Sequence, residues 1–492
     1  MAPPAPLRLH NSLTAQVEDF VPMTPGRVGI YSCGPTVYSY AHLGNLRAYV
    51  FSDVLRRTLE WRGYQVDQVV NITDVGHTVG ESDLGEDKVE AAARRELKSV
   101  QELTGHYTEA FQADLAALRI KPPTHQPRAS EYVPQMIEFA KVLEQRGVTY
   151  QLADGLYFDT SKDPEYGVLA KAKAGLLEQR ELSAEGKRHP ADFAVWRADT
   201  ATERRVMRWD SPWGPGVPGW HLECSVMSLE LLGRHFDIHT GGVDHREIHH
   251  VNEMAQSGAF LDEPDTRWVR TWLHNEFLVA GGRKISKSAG RMPLLRDIVA
   301  GGRPALAYRY LVLMAHYRRQ LDFTEQNLIG QAAGYARFIA HWGPGGADTA
   351  PTTYDASVAQ LGAAARDWLA RIDAAVADDL NTPRALAEIR AMMRSDLPFD
   401  EQRRVVLAVD SVLGLGVGAE PAEPDTGGAV SSPDNPRLPE VEQALADRQR
   451  ARADRDFARA DRLRDRLREL GVEVTDTPGG PTWRFVTGDT SG

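Results

Sequence analysis

Residues Tyr31 to Tyr49 read YSCGPTVYSYAHLGNLRAY, and this stretch decides the fold. An apolar, β-prone run, Val28-Gly-Ile-Tyr31, leads into it. Leu46, Val50 and Val54, with Phe51, Leu55 and Leu59 beside them, lead out at helical spacing. Gly63 supplies a helix stop, and Gln65 to Asn71 (QVDQVVN) reads as the next strand. A strand, turn, helix and strand in this order predict a parallel sheet with the turn at its carboxyl end. Ligands of doubly wound folds bind there.

Working outward, the parallel-strand signal returns at His235-Phe-Asp-Ile-His239. It runs into Thr240-Gly-Gly-Val-Asp244 and a helical stretch around His249 to Gln256. Trp272 to Ala280 reads as a further strand entering a basic loop, Gly281-Gly-Arg-Lys-Ile-Ser-Lys-Ser288. Pro122, Pro123 and Pro127 punctuate a boundary. Residues 128–206 then mix a helix (Glu131 to Gln145) with short strands (Gly155 to Asp159), which reads as an insertion between two halves of a nucleotide-binding fold. Pro293 to Trp342 is helical in period, and so is Asp367 to Met393, interrupted at Asn381-Thr-Pro383. Residues 419–436 have the composition of a disordered linker. Pro439 to Leu470 is an arginine-dense helical segment, and Val472 to Phe485 closes with β pattern.

The chain has 492 residues, enough for several domains, and 42% hydrophobic with 25% charged residues is ordinary globular composition. No apolar run approaches the length of a membrane span, and MAPPAPLRLHNSL has no signal-peptide pattern. Two cysteines argue against a disulfide scaffold and fit a reducing compartment. The expectation is a cytoplasmic protein. A net charge of −11 speaks against a general nucleic-acid binder. Between Arg437 and Glu469, however, ten arginines face eight acidic residues, which makes this the best local candidate for an RNA contact.

Four groups of residues carry chemistry. Cys33 and Cys224 with His249 and Glu253, the last two on one helix face, have the donor types of a four-coordinate zinc site. Each cysteine alone would equally suit a small buried position. His42-Leu-Gly44-Asn45 at a helix start suits nucleotide phosphates, because free N–H groups and the helix dipole favour anions, and it also suits a simple cap. Lys284-Ile-Ser286-Lys287-Ser288 could hold a developing pyrophosphate charge or form a solvated basic loop. Gly241, Gly242 and Asp244 follow a strand, where glycine lets a ribose approach and the carboxylate accepts from its hydroxyls; a tight turn is the alternative.

The motifs occur in one order: CGPTVYSYAHLGN, NITD, RASEYV, GWHLECS, FDIHTGGVDHREIHHVNE, KISKS, AHYRRQLDFTEQNL, DDLNTPRAL and DFARADRLRDRLRELGVEVTDTPGGPTWR. In that order the chain resembles the cysteinyl-tRNA synthetases, a class I family, over nearly its whole length. HLGN is similar to the family's His-Ile-Gly-His signature and KISKS to its Lys-Met-Ser-Lys-Ser loop.

The resemblance implies a Rossmann-type parallel-sheet α/β catalytic domain in two halves, residues 1–120 and 216–292. It implies a connective insertion at 121–215, a helical stem-contact region at 293–345 and a helical-bundle domain at 346–418. A linker at 419–436 and a small anticodon-binding domain at 437–492 complete it. It further implies one Zn2+ per chain on Cys33, Cys224, His249 and Glu253. ATP with Mg2+ is placed at His42, Gly44, Asn45, Gly241, Gly242, Asp244, Lys284, Ser286, Lys287 and Ser288. L-cysteine is placed against Thr73, Trp220 and His239, and the anticodon of tRNA(Cys) against Arg452, Phe457, Asp461 and Asp476. A monomer is implied. Asn45, Ile285, Thr240, Val251 and Phe457 depart from the family pattern, the last by putting phenylalanine where tryptophan is expected. A ligase joining cysteine to a glucosaminyl-inositol and a non-catalytic tRNA-binding paralogue share parts of this pattern.

Overall fold

The computed structural model describes residues 4–75, 88–96, 98–170, 186–200, 205–263, 267–280, 283–284, 293–347, 349–419, 443–445, 447–448, 450–451, 456–470, 472–477 and 480–485. At 88, 283–284, 457–458, 468–469, 473–477 and 480–485 only the backbone is described. The chain forms two units, Met1–Ala419 and Glu420–Gly492.

A short hairpin, β1 (Arg8–Asn11) and β2 (Gln16–Asp19), opens the first unit. Sequence reading gave no strand here, because RLHN and QVED are brief and polar. Tertiary contact stabilises it: Ser12 N–H donates to the Trp272 carbonyl at 2.8 Å and Trp272 N–H to Asn11 Oδ1 at 3.2 Å. The expected strand, helix and strand follow as β3 (Arg27–Ser32), α1 (Leu43–Trp61) and β4 (Gln65–Val70), with β3 and β4 parallel. Gly63 has φ +86°, which halts α1.

The two apolar ladders of α1 have separate destinations. Phe51, Leu55 and Leu59 pack with Val28, Ile30, Val66, Ile238 and Leu273 of the sheet strands. Leu46, Val50 and Val54 belong instead to the large helical core. Burying each such side chain contributes roughly 1.5–3 kcal/mol, so α1 is held from both sides.

Helices α2 (Lys88–Arg95) and α3 (Val100–Ala117) precede the insertion. The insertion supplies α4 (Val133–Gln145) and the antiparallel strands β5 (Thr149–Leu152), β6 (Gly155–Phe158), β7 (Phe193–Ala198) and β8 (Gly216–Pro218). The main sheet resumes through α5 (Trp220–Leu232), β9 (Phe236–Gly242), α6 (Val243–Glu247), α7 (His249–Leu261) and β10 (Val269–Asn275). Its order is β10-β9-β3-β4 and every pairing is parallel. The chain leaves β3 towards β4 on one side and β9 towards β10 on the other. The crevice above β3 and β9 is therefore the topological switch point.

The strand expected over 272–280 is in fact two, β10 and β11 (Leu278–Ala280), broken at Glu276-Phe277. Buried Arg47 donates to the Phe277 carbonyl at 2.5 Å and also reaches the Arg319 carbonyl. Those long-range bonds leave no local trace in the sequence. β11 pairs antiparallel with β12 (Arg283–Lys284). The helical period of 293–342 resolves into α8 (Leu295–Ala300), α9 (Ala305–Leu313) and α10 (Glu325–Trp342). A short strand, β13 (Leu321–Asp322), interrupts it and pairs with β11. The bundle ends with α11 (Tyr354–Ala359), α12 (Ala363–Ala377), α13 (Thr382–Met392) and α14 (Phe399–Leu413). The expected interruption at Asn381-Thr-Pro383 is the start of α13, capped by Asn381. In the second unit, α15 (Phe457–Glu469) is followed by the hairpin β14 (Val472–Thr477) and β15 (Gly480–Phe485). Among the described residues no helix is long and apolar enough to cross a membrane.

A buried ion pair ties α1 to the bundle. Asp53 and Arg309 are both fully buried and meet at 2.5 Å, and Arg309 also donates to the Leu413 and Leu118 carbonyls at 2.7 and 3.0 Å. Burial pushes the Asp53 carboxyl up, but the Arg309 and Arg57 guanidinium groups outweigh it and hold it below its ordinary value. Its stabilising effect is therefore complete above the ordinary carboxylate pKa and fades as pH falls through the lowered one. Asp53→Ala strands a buried guanidinium, and denaturant titration should show a loss of about 3–5 kcal/mol. A loss below about 1 kcal/mol would mean that water or Asp410 takes over the charge.

Candidate metal and nucleotide site

Strand ends and two helix starts deliver the site. β3 ends at Ser32, so Cys33 is the first residue beyond it, and its N–H donates to the Thr240 carbonyl of β9 at 3.3 Å. Cys224 lies one turn into α5. His249 and Glu253 sit one turn apart at the start of α7. One donor atom from each of these four residues lies within 4.8 Å of all the others. Cys33 is half-buried and the other three are buried. A second group among the described residues, Cys33, His239, His250 and Glu253, meets the same distance and shares two members with the first.

The donor atoms turn towards a common space. The fully buried Glu253 carboxylate meets His239 Nε2 at 2.9 Å through Oε2. Its Oε1 stands 2.9 Å from His249 Nε2, yet without hydrogen-bond alignment. Two side chains that shared one ion would face each other in this way. Burial pushes the Glu253 carboxyl up, but the His249 and His239 rings bring it down to about 2. Burial pulls the His249 ring down, while Glu253 and Cys224 hold it up, at about 10. The Cys33 thiol is pushed up by burial; the Cys224 thiol is pushed well up by its hydrogen bond to Cys33 and then by burial. A buried carboxylate beside two crowded thiols fits a cation: it would let both sulfurs ionise and would meet the misaligned carboxylate oxygen. Two sulfurs, an imidazole and a carboxylate are a zinc-type donor set.

Of the three residues expected around L-cysteine, Trp220 and His239 contact this group and Thr73 is linked to it through Asn71. Trp220 stacks on His249, with centroids 4.3 Å apart and planes at 27°. His239 bonds Glu253 and stacks on Trp272 at 4.8 Å. Thr73 Oγ1 accepts from Asn71 Nδ2 at 3.0 Å, and Asn71 Oδ1 takes the Gly34 N–H at 2.8 Å while lying 3.9 Å from Cys224 Sγ.

Sequence reading missed a supporting layer. His221 Nδ1 meets His249 Nδ1 at 2.9 Å. His250 Nε2 meets Cys33 Sγ at 3.2 Å and its Nδ1 meets His274 Nε2 at 2.8 Å, and His274 Nδ1 meets Ser12 Oγ at 2.7 Å. The histidines flanking the expected ligands, in WHLEC and HHVNE, were the only available signal. His274 and Ser12 carried none, because their partners are more than twenty residues away.

His42 is the N-cap of α1 and forms a capping box with Asn45. Asn45 N–H donates to His42 Nδ1 at 3.1 Å, and His42 N–H donates to Asn45 Oδ1 at 3.2 Å. The first turn carries no acidic residue, so the positive helix end is not neutralised locally. At Gly44 an added Cβ would lie 3.0 Å from the His42 ring, so a larger residue would press that ring out of place. At Gly241 a Cβ would meet the His250 ring at 2.7 Å, and at Gly242 it would meet Asp244 Oδ1 at 2.3 Å. On that side the glycines make room for the protein's own side chains.

Lys284 lies in β12, where only the backbone is described, and Ser286, Lys287 and Ser288 lie outside the described residues. Arg452 is also outside them, as are residues 420–436 of the expected linker. Phe457 opens α15 and Asp476 lies on β14, each as backbone only, and Asp461 is exposed on α15.

Residues 19–333 match the family model of the tRNA synthetases class I (C) catalytic domain, and residues 435–484 match the cysteinyl-tRNA ligase anticodon binding domain. A cysteine–tRNA ligase of Novosphingobium aromaticivorans is 47% identical, covering 99% of this chain and 98% of its own. One from Zymomonas mobilis is 44% identical, covering 98% of each. Among solved structures, a Mycobacterium tuberculosis methionyl-tRNA synthetase bound by methionyl-adenylate aligns with TM-score 0.53 at 15% identity, over 80% of this chain and 93% of that one. A LeuRS–tRNA–LeuAMS ternary complex of Agrobacterium radiobacter K84 aligns with TM-score 0.56 at 11% identity, over 82% and 85%. These last two likenesses speak to the fold alone.

Proposed function

The chain belongs to the class I cysteinyl-tRNA synthetases, and from that premise we propose how its residues divide the work of charging tRNA(Cys). It is a ligase: ATP activates L-cysteine as cysteinyl-adenylate with release of diphosphate, and the cysteinyl group then passes to the tRNA 3′ end with release of AMP.

Cysteine and serine differ by sulfur for oxygen, and a pocket of ordinary contacts separates such near-isosteres poorly. The four-residue group Cys33, Cys224, His249 and Glu253 carries the reading, since it would hold zinc at the switch point. Zinc there supplies soft ligation that favours a thiolate over a hydroxyl. Trp220 fixes the plane of His249 by stacking, and His221 fixes its rotation through Nδ1. His221→Ala should weaken zinc retention about 10–100-fold in a chelator competition; unchanged retention would remove His221 from this role. Thr73, Trp220 and His239 wall the amino-acid pocket.

The cysteine carboxylate attacks the α-phosphate in line, a step served mainly by positioning and charge stabilisation. His42 and Asn45 present the positive end of α1 to the phosphates, and Lys284 and Lys287 add cationic charge with Mg2+. Gly241, Gly242 and Asp244 border the adenosine. Arg452, Phe457, Asp461 and Asp476 face the anticodon, where Phe457 can stack on a base. We place the enzyme in the cytoplasm as a monomer.

The anticodon-domain match at residues 435–484 favours tRNA over a glucosaminyl-inositol acceptor. Radiolabelled cysteine with purified protein, ATP and each acceptor in turn tests this. Charging of tRNA(Cys) alone is expected; transfer to the sugar acceptor alone would overturn the reading.

A further inference from the structure

Helix α1 grips the chain on both sides of the KISKS-bearing segment. Arg47 bonds the Phe277 carbonyl just before β11. On the far side, Leu43 N–H donates to the Pro293 carbonyl at 2.9 Å, and His42 forms an antiparallel bridge with Leu294. Leu294 in turn starts α8, its N–H donating to Asp297 Oδ2 at 2.9 Å.

Next to this junction Tyr40 is held on several sides. Its hydroxyl meets His106 Nε2 at 2.8 Å, and the Tyr107 ring meets it edge-on at 4.9 Å and 86°, both residues being on α3. The guanidinium carbon of Arg296, on α8, lies 3.3 Å from the centre of the Tyr40 ring. That is the geometry of a cation–π contact. Tyr40 is two residues before His42, so whatever fixes the ring fixes the turn that presents His42.

We propose that Arg296 is a positioning residue for adenylate formation, clamping the Tyr40 ring so that His42 and the chain at Pro293–Leu294 keep their spacing. The proposal rests on the functional reading above. Arg296 contributes neither to the metal group nor to the pocket walled by Thr73, Trp220 and His239, so the clamp acts on the rate of activation and not on recognition of cysteine. Lysine can retain the cation–π contact in part, whereas alanine removes it.

Cysteine-dependent ATP–pyrophosphate exchange by the full chain provides the test. Arg296→Ala is expected to lower kcat about tenfold, as a small misplacement of reacting groups does, with KM for cysteine and zinc content unchanged. Arg296→Lys should recover part of the rate. Tyr40→Leu should match Arg296→Ala, and the double variant should be no slower than either single one. Wild-type kcat in Arg296→Ala, or losses that multiply in the double variant, would overturn the clamp. Exchange by the unaltered chain is read in the same assay: its dependence on cysteine tests the functional reading, and the ratio of variant to wild type tests the clamp.

Discussion

Cys224→Ser should leave a folded protein that has lost its bound zinc and roughly 10³-fold of its preference for cysteine over serine. Serine has nearly the shape of cysteine, and Cys224 is buried within the core that α5 forms with α4 and the insertion strands, so packing changes little. The donor chemistry changes a great deal. A serine hydroxyl does not ionise as a zinc-type ligand in place of a thiolate, and the remaining three donors then hold the ion more weakly. The Glu253 carboxylate stays fully buried with less positive charge beside it. Metal analysis, together with cysteine- and serine-dependent pyrophosphate exchange, reads the outcome. A variant with full zinc and unchanged selectivity would refute the assignment of Cys224.

The second large effect is expected at His42, where substitutions can separate the observed capping role from the proposed one. As the N-cap it accepts the Asn45 N–H, and its proposed second role is to meet the ATP phosphates. His42→Ala removes both, costing about 1 kcal/mol of stability and roughly 10²–10³-fold in the rate of adenylate formation. Asparagine is a strong N-cap, so His42→Asn should keep the stability and still lose the rate. If His42→Asn activates cysteine at the wild-type rate, the imidazole serves the helix alone.

The fold and site were legible to different depths. The α1 ladders could be read because both are local, repeating every four residues, and each proved to face a real core. The N-terminal hairpin could not, since its stability comes from Trp272, some 260 residues away. The break at Glu276-Phe277 is set by Arg47, and the strand inside the 293–342 helical run exists because β11 pairs with it. At the site, the His249–Glu253 spacing showed one shared helix face. That Cys33 and Cys224 join them follows from tertiary packing, with β3 beside β9 and α5 packed on α7 and β3, which leaves no local periodicity. The ordered motifs supplied by resemblance what spacing could not. In the supporting layer, His221 and His250 were marked only by standing beside the expected ligands, and His274 had no local mark because its partners His250 and Ser12 are distant in sequence.

We propose that the substrate thiol is recognised by a metal on Cys33, Cys224, His249 and Glu253. Replacing zinc with cobalt(II) and recording the sulfur-to-cobalt charge-transfer band on titration with each amino acid tests it most directly. The band is expected to strengthen with cysteine, not with serine, and to saturate at one equivalent per chain. A spectrum that cysteine leaves unchanged, in protein that still forms cysteinyl-adenylate, would contradict the account.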